Sequence, residues 1–344
     1  MLAALRPASL LHWTDHSRAV LAPHATGLED VHLDQRDNGM TTRRALQWLA
    51  PLALGTCVAL AGCSSATPGG GNGALSGTLY FHGQRDQSGH SVFKLDFASS
   101  AITSLVLCVE PDALPDGRIL CGDLDLAILS ADGAQRQIIV PHATLTSGGG
   151  QYNVFFKNPR MSRDGRYVAY DDDVSTNPTV YVVDAATGAL VAKFGNAKDE
   201  LYSHPSWGPD GSLYFQGNTF NFNHTPGIYK VDNTFTTVTR IDKNLNLPEA
   251  PVMNRDGTKI AFLLNRRVWT MNADGSAAAQ AASPDLDQDY QVWSPDGKLV
   301  IANTHNCDLV AIDPAGASFF KLSDKGIALG GGFGTCADGQ MTWR

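Results

Sequence analysis

The sequence predicts an all-β protein, a six-bladed β-propeller of four-stranded antiparallel blades. Three observations support this prediction. A unit built around Asp-Gly recurs at the spacing typical of propeller blades, about 45 residues. Each unit contains the pattern of four short strands. The last segment of the chain matches the first strand of the unit, so the ring closes on itself.

The repeat is clearest around four Asp-Gly dipeptides. Each has a large apolar residue four positions before its glycine and an apolar run after it. The dipeptides end at Gly165, Gly211, Gly257 and Gly297. An Asp-Gly between two apolar runs predicts a hairpin, because glycine adopts the positive φ of such a turn without strain. Segments such as Val180–Asp184 then begin a second hairpin in each unit.

Two weaker copies of the unit precede these four, at Gly77 and Gly117. The first copy has no opening strand of its own, whereas the terminal segment 340–344 resembles the opening strand at 291–294. We therefore predict that the terminal strand completes the first blade of a propeller spanning residues 76–344. Closure removes sheet edges that would otherwise pair with other chains.

The N-terminal part carries a targeting pattern. A basic stretch at 40–44 precedes an apolar run at 45–61, which ends in Leu-Ala-Gly-Cys at Cys63. A basic segment, an apolar segment and small residues before a cleavage point predict a signal peptide, here 40–62. The tetrapeptide resembles the bacterial lipobox, which implies a diacylglycerol and acyl lipid on Cys63. A transmembrane helix is the alternative, but Pro51 and Gly55 interrupt a run already short for one.

The segments on either side of this signal have separate interpretations. Residues 1–39 are expected to be a non-native or removed extension, with translation starting at Met40. Residues 63–75, rich in Ser, Gly and Pro, are expected to form a flexible tether. Ser64 after the lipidated cysteine favours sorting to the outer membrane in a Gram-negative cell, which predicts a lipid-anchored protein on its periplasmic face.

Composition narrows the function classes. The net charge is −8, and no run of Lys and Arg appears in the sequence, which argues against a nucleic-acid partner. The chain has neither a Gly-x-Ser-x-Gly elbow nor a phosphate-binding Gly-x-x-x-x-Gly-Lys loop. We therefore expect a monomeric, non-enzymatic protein that needs no cofactor apart from its lipid.

Two segments carry a resemblance to a known family. Trp293-Ser294-Pro295-Asp296-Gly297-Lys298 and Met271-Asn272-Ala273-Asp274-Gly275 resemble the WD-repeat-like units of the TolB propeller. The resemblance extends over about residues 76–344 and implies the same fold. TolB proteins carry an α/β domain before their propeller. Only the tether separates Cys63 from the first predicted strand, so we expect that domain to be missing here.

The cysteines of the predicted propeller are even in number, which permits disulfides in an exported protein. Assigning the segments to a propeller places all of them on one face, compatible with Cys108–Cys121 and Cys307–Cys336 pairs. Free buried thiols are the alternative.

The same face collects candidate binding residues from the loops after second strands and between blades. They are His82, Asp171, Asp172, His204, Phe220, Phe222, His224, Tyr290 and His305. These loops predict a binding or scaffold module for an envelope protein or glycan partner. A metal-dependent polysaccharide lyase or hydrolase with His82, His204 and His305 as ligands is the alternative. The acidic triplet 171–173 is expected to be a solvated loop, and Trp207, Trp293 and Trp343 to lie in the core.

Overall fold

The computed structural model describes residues 75–84, 90–122, 125–142, 156–172, 178–195, 200–217, 225–329 and 337–344. In these residues, strands β1 to β24 form six four-stranded antiparallel sheets. This confirms the predicted fold class. Segments 1–39 and 40–62, and the tether up to residue 74, lie outside the described residues.

Blade 1 contains β1 (Thr78–Gln84), β2 (His90–Asp96), β3 (Ala101–Leu107) and β24 (Ala337–Trp343). Blade 2 contains β4 (Val109–Ala113), β5 (Ile119–Gly122), β6 (Leu126–Leu129) and β7 (Arg136–Val140). Blade 3 contains β8 (Phe156–Met161), β9 (Tyr167–Asp172), β10 (Val180–Asp184) and β11 (Leu190–Phe194).

Blade 4 contains β12 (Tyr202–Trp207), β13 (Leu213–Gly217), β14 (Gly227–Val231) and β15 (Val238–Arg240). Blade 5 contains β16 (Glu249–Met253), β17 (Lys259–Leu264), β18 (Arg267–Asn272) and β19 (Ala279–Gln280). Blade 6 contains β20 (Gln288–Trp293), β21 (Val300–Thr304), β22 (Leu309–Asp313) and β23 (Ser318–Lys321). A short 3-10 turn, Ser323–Lys325, follows β23.

The ring closes as predicted. The innermost strands of successive blades contact each other, and β24 contacts both β20 of blade 6 and β4 of blade 2. Within blade 1, β24 pairs antiparallel with β1, so that Trp343 lies opposite Leu79 and Met341 opposite Phe81. The terminal strand therefore supplies the innermost strand of the first blade.

The predicted core tryptophans Trp207, Trp293 and Trp343 are buried, and the first two join neighbouring blades. The indole Nε1 of Trp207 donates to the carbonyl oxygen of Arg160 in the preceding blade at 2.9 Å. Trp293 likewise donates to the carbonyl of Val252 at 3.0 Å. A buried indole N–H needs such an acceptor. The Trp of the repeat thus packs the core and stabilises the contact between blades.

The Asp-Gly turns are as the sequence predicts. Gly297 has φ of 70°, and its N–H donates to the carbonyl of Ser294 at 2.9 Å. The Asp296 carboxylate accepts the Ser294 hydroxyl at 2.6 Å. The repeated Asp therefore satisfies polar groups within its own turn, and this gives it a structural role.

One predicted disulfide is present. Cys108 and Cys121 are bonded, with a Cα–Cα distance of 5.8 Å and a sequence separation of 13. A loop of this length contributes about 3 kcal/mol by restricting the unfolded chain. Cys307 is also disulfide-bonded, while its predicted partner, Cys336, lies outside the described residues.

Among the residues that the structure describes, none belongs to an apolar helix of membrane-spanning length.

Candidate functional site

Each innermost strand contains a bulge at the same position. In blades 2 to 5 the bulge residue has a positive φ and is followed by proline. These residues are Glu110, Asn158, His204 and Ala250, with φ of 55°, 49°, 55° and 47°. Proline has no N–H to lose from the ladder, so it is tolerated where pairing is interrupted. In blades 6 and 1 the pairing shifts around Tyr290 and Gly339 instead.

The bulges surround the axis of the ring. Asn158, His204, Ala250 and Tyr290 border a narrow cavity of about 20 Å³ between the blades. A bulge re-aims its side chain relative to the strand. The bulge position of each blade therefore determines which group borders the constriction of the channel.

A larger pocket opens above this constriction, on the face that carries the turns between second and third strands. Its volume is about 570 Å³, and blades 4, 5, 6 and 1 all contribute to its wall. We call it the loop-face pocket; its polar side chains include His204, Gln216, Glu249, Asp289, Tyr290, Asn303, Thr304 and His305. His204 and Tyr290 face each other, with their ring centroids 6.5 Å apart.

The loop-face pocket is rich in hydrogen-bond acceptors. Burial raises the pKa of Glu249; the charge of Arg266 lowers it in part, and the nearby Asp289 raises it. Asp289 accepts from the guanidinium of Arg266 at 2.6 Å and lies 3.6 Å from His305 Nδ1. Burial, with the charge of Arg160, lowers the pKa of His204 to about 4. His204 is thus neutral at physiological pH, and the pocket favours a ligand that donates hydrogen bonds.

Asp171 joins two blades. Its Oδ2 accepts the main-chain N–H of His204 in the next blade at 2.7 Å and the side-chain amide of Asn158 at 3.0 Å. Burial raises the pKa of Asp171 to about 8. The side chain of Gln216 likewise connects blade 4 to blade 5, because its Oε1 accepts the main-chain N–H of Ala250 at 2.9 Å. This position of the second strand therefore connects one blade to the bulge of the next.

Asp172 and His82 are also inside the fold. Asp172 accepts the N–H of Thr179 at 2.8 Å and the hydroxyl of Tyr181 at 3.0 Å, and burial raises its pKa. His82 is only 4% exposed and lies against Gly339, where an added Cβ would be 2.9 Å from its Nδ1. The prediction of a solvated acidic loop is therefore wrong for Asp171 and Asp172, because both lie in β9 and are buried.

The structure thus divides the predicted binding residues. His204, Tyr290 and His305 line the loop-face pocket, whereas Asp171, Asp172 and His82 are not among its wall residues. Phe220, Phe222 and His224 lie outside the described residues. The sequence predicts His204 and Tyr290 in loops between blades, but both belong to strands, β12 and β20. A residue followed by proline was the available signal for the bulge at His204, whereas Tyr290 is followed by glutamine.

The proposed histidine ligands are not gathered into a metal centre. Over the part of the chain that the structure describes, no group of three or more His, Cys, Asp or Glu side chains is arranged to hold a metal ion. His82 is buried against Gly339, while the side chain of His305 is 75% exposed at the pocket rim. The geometry favours binding by complementary polar contacts.

No protein-family model matches the chain. A curated relative, a TolB homolog of Chlorobium chlorochromatii, is 30% identical over 110 residues, which is 31% of this chain and 23% of that protein. The chain therefore matches less than a quarter of this relative's length.

Solved structures extend the likeness across the ring. TolB from Acinetobacter baumannii superposes with a TM-score of 0.59 at 17% identity, covering 72% of this chain and 64% of that one. A TolB-type protein of Agrobacterium tumefaciens gives a TM-score of 0.53 at 17% identity, covering 72% and 89%. A chain of a nidogen–laminin complex gives 0.52 at 14%, covering 71% and 92%. The described part of the chain therefore has a TolB-like propeller fold.

Proposed function

We propose that this TolB-like propeller is a lipid-anchored, non-enzymatic scaffold that binds a protein partner in the bacterial cell envelope. The observation that carries the proposal is the loop-face pocket, whose wall combines side chains from four blades. A closed ring holds those side chains in place before binding, which lowers the entropy lost on association. The TolB-like propeller fold supports a role as a protein-binding scaffold.

The chemistry of the pocket defines the partner segment. The carboxylates of Glu249 and Asp289 and the neutral imidazole of His204 offer acceptors. Tyr290 adds an aromatic surface of the kind enriched at the centres of interfaces. A basic or amide-rich segment of a protein fits this wall better than an acidic one. A glycan would use the same acceptors through its hydroxyl groups.

Location in the envelope is part of the proposal. The likeness to TolB supports a location in the cell envelope. The lipobox-like segment supports attachment through Cys63 to the periplasmic face of the outer membrane. More than one acyl chain on a single residue gives stable anchoring. The tether at 63–75 would then let the ring stand away from the membrane with its faces accessible.

The anchor has a direct test. Replacing Cys63 by Ala removes the thiol that would receive the lipid, so we expect an uncleaved precursor that incorporates no labelled palmitate in cells. Cys57→Ala, which lies within the predicted signal, is the matched control and is expected to be processed normally. Normal cleavage and labelling of the Cys63→Ala protein would contradict the anchor.

The binding role is tested by affinity capture from envelope extracts with the full-length protein. Glu249→Gln with Tyr290→Ala changes the loop-face pocket at one exposed and one half-buried position, which lie in separate blades. Arg136→Gln, on outer strand β7, is the control. We expect a partner that the wild type and the control retain and the pocket variant loses. A partner retained equally by all three proteins would contradict a binding site in this pocket.

A further inference from the structure

A second concavity opens at the other end of the channel, on the face that carries the Asp-Gly turns. Its volume is about 710 Å³, and all six blades contribute residues to its wall. Apolar side chains such as Trp207, Met253 and Trp293 form the inner wall. We call this concavity the turn-face funnel. It lies outside the loop-face pocket and shares none of that pocket's wall residues.

Five arginines from four blades line the turn-face funnel. They are Arg118 of blade 2, Arg160 and Arg163 of blade 3, Arg255 of blade 5, and Arg344 after the last strand of blade 1. Arg163 reaches across the opening, since its Nη2 donates to the carbonyl oxygen of Asn254 at 2.9 Å and its Nη1 to that of Arg255. The cluster is invisible in the sequence, because its members are far apart along the chain.

Few carboxylates compensate these charges. Asp112 is shared by Arg160 at 3.7 Å and Arg344 at 3.6 Å. Within the described residues, Arg163 and Arg255 form no ion pair with any carboxylate. Burial, and then the charges of Arg255 and Arg344, lower the pKa of Arg163, while the charge of Asp256 partly opposes them. Like charges are thus held close together in a partly desolvated site, an arrangement that an incoming anion stabilises.

The remaining carboxylates of the wall already have partners. Asp116 accepts from Arg118 Nε at 2.7 Å, and Asp164 accepts the hydroxyl of Ser162 at 2.6 Å. The funnel is therefore a positive site on a protein whose net charge is −8. Arginine is suited to such a site, because its planar fork binds both oxygens of a carboxylate.

We propose that the turn-face funnel binds an acidic polypeptide segment, with Arg163 and Arg255 holding its carboxylates and the apolar inner wall packing against the stems of its side chains. The cavity of about 710 Å³ is in the size range of pockets for organic ligands. It is far larger than a single small anion needs, and its size therefore favours a peptide segment. The proposal is independent of the loop-face pocket, which has the opposite preference.

The test measures the binding of a rhodamine-labelled hexaglutamate peptide to the full-length protein in neutral detergent, by fluorescence anisotropy. We expect Arg163→Gln with Arg255→Gln to weaken binding at least tenfold. Arg136→Gln removes one exposed positive charge from outer strand β7 and is expected to leave affinity unchanged. Charge reversal, Arg163→Glu with Arg255→Glu, is expected to abolish the binding of hexaglutamate and to create binding of hexalysine. Both arginines are exposed, and near-UV circular dichroism verifies the fold of each variant.

The competing outcomes are distinguishable. Equal binding of hexaglutamate by the wild type and both arginine variants would overturn the site. Displacement of the peptide by inorganic phosphate at equal charge concentration would overturn it in favour of a free oxyanion site. Stronger displacement by polygalacturonate would overturn it in favour of an acidic glycan. The loop-face variant Glu249→Gln with Tyr290→Ala keeps hexaglutamate binding, so failure here is separate from failure of the proposed function.

Discussion

Truncation of the chain after Leu329 is expected to abolish cooperative folding. The truncation removes β24, in which Met341 is fully buried and Trp343 is 4% exposed. It also removes Gln340, whose Nε2 donates to the carbonyls of Pro111 at 3.1 Å and Pro159 at 2.9 Å. Loss of a buried Trp alone costs about 3–5 kcal/mol. Together these losses are comparable to the whole stability of an ordinary domain, about 5–15 kcal/mol.

The effect is measured by near-UV circular dichroism during urea unfolding and by size-exclusion chromatography. The truncated protein is expected to show no cooperative transition and to aggregate through the open edge of β1. Trp343→Ala in the full chain is expected to lose about 3–5 kcal/mol. Phe319→Ala, at a 42% exposed position on outer strand β23, is the aromatic control and is expected to lose far less. A truncated protein with the wild-type transition would contradict closure by the terminal strand.

Asp171 is expected to make the protein less stable as the pH rises. Its pKa is about 8 in the folded protein because of burial, against about 3.9 in an unfolded chain. Between these values the folded state holds the extra proton, so the free energy of unfolding falls as pH increases. Asp171→Asn removes this dependence, because both hydrogen bonds to Asp171 end on Oδ2. The amide oxygen of Asn can accept both of them.

The measurement is urea unfolding of the wild type and Asp171→Asn at pH 5 and pH 8. We expect the wild type to lose about 3 kcal/mol more than the variant over this interval. Asp296→Asn makes the same chemical change in an exposed turn, where hydrogen bonds lower the pKa of the carboxyl group. That control is expected to match the wild type between pH 5 and pH 8. Identical pH dependence in the wild type and Asp171→Asn would contradict a protonated Asp171.

The blades and their closure were predictable because they depend on local patterns. Asp-Gly turns, strand alternation and the match between 340–344 and 291–294 all appear in the linear sequence. The Cys108–Cys121 disulfide followed from the same frame, since the propeller placed both cysteines on one face. Such features require only that each segment adopt its own preferred conformation.

The sequence predictions that were wrong concern residues whose surroundings are formed by neighbouring blades. Asp171 looks solvated in sequence, but the bulge at His204 brings a buried N–H against its carboxylate. The arginine cluster of the turn-face funnel contradicts the impression that positive charge is dispersed, because ring closure gathers Arg163, Arg255 and Arg344. Contacts across blades arise from the geometry of the ring, which the pattern within one repeat does not contain.

The central claim is that the loop-face pocket binds the envelope partner. Its most direct test is the affinity of the captured, purified partner for the wild type, the Glu249→Gln/Tyr290→Ala variant and the Arg136→Gln control, measured by calorimetry. The account predicts at least tenfold weaker binding by the pocket variant and unchanged binding by the control. Equal affinity of all three proteins for the partner would contradict it.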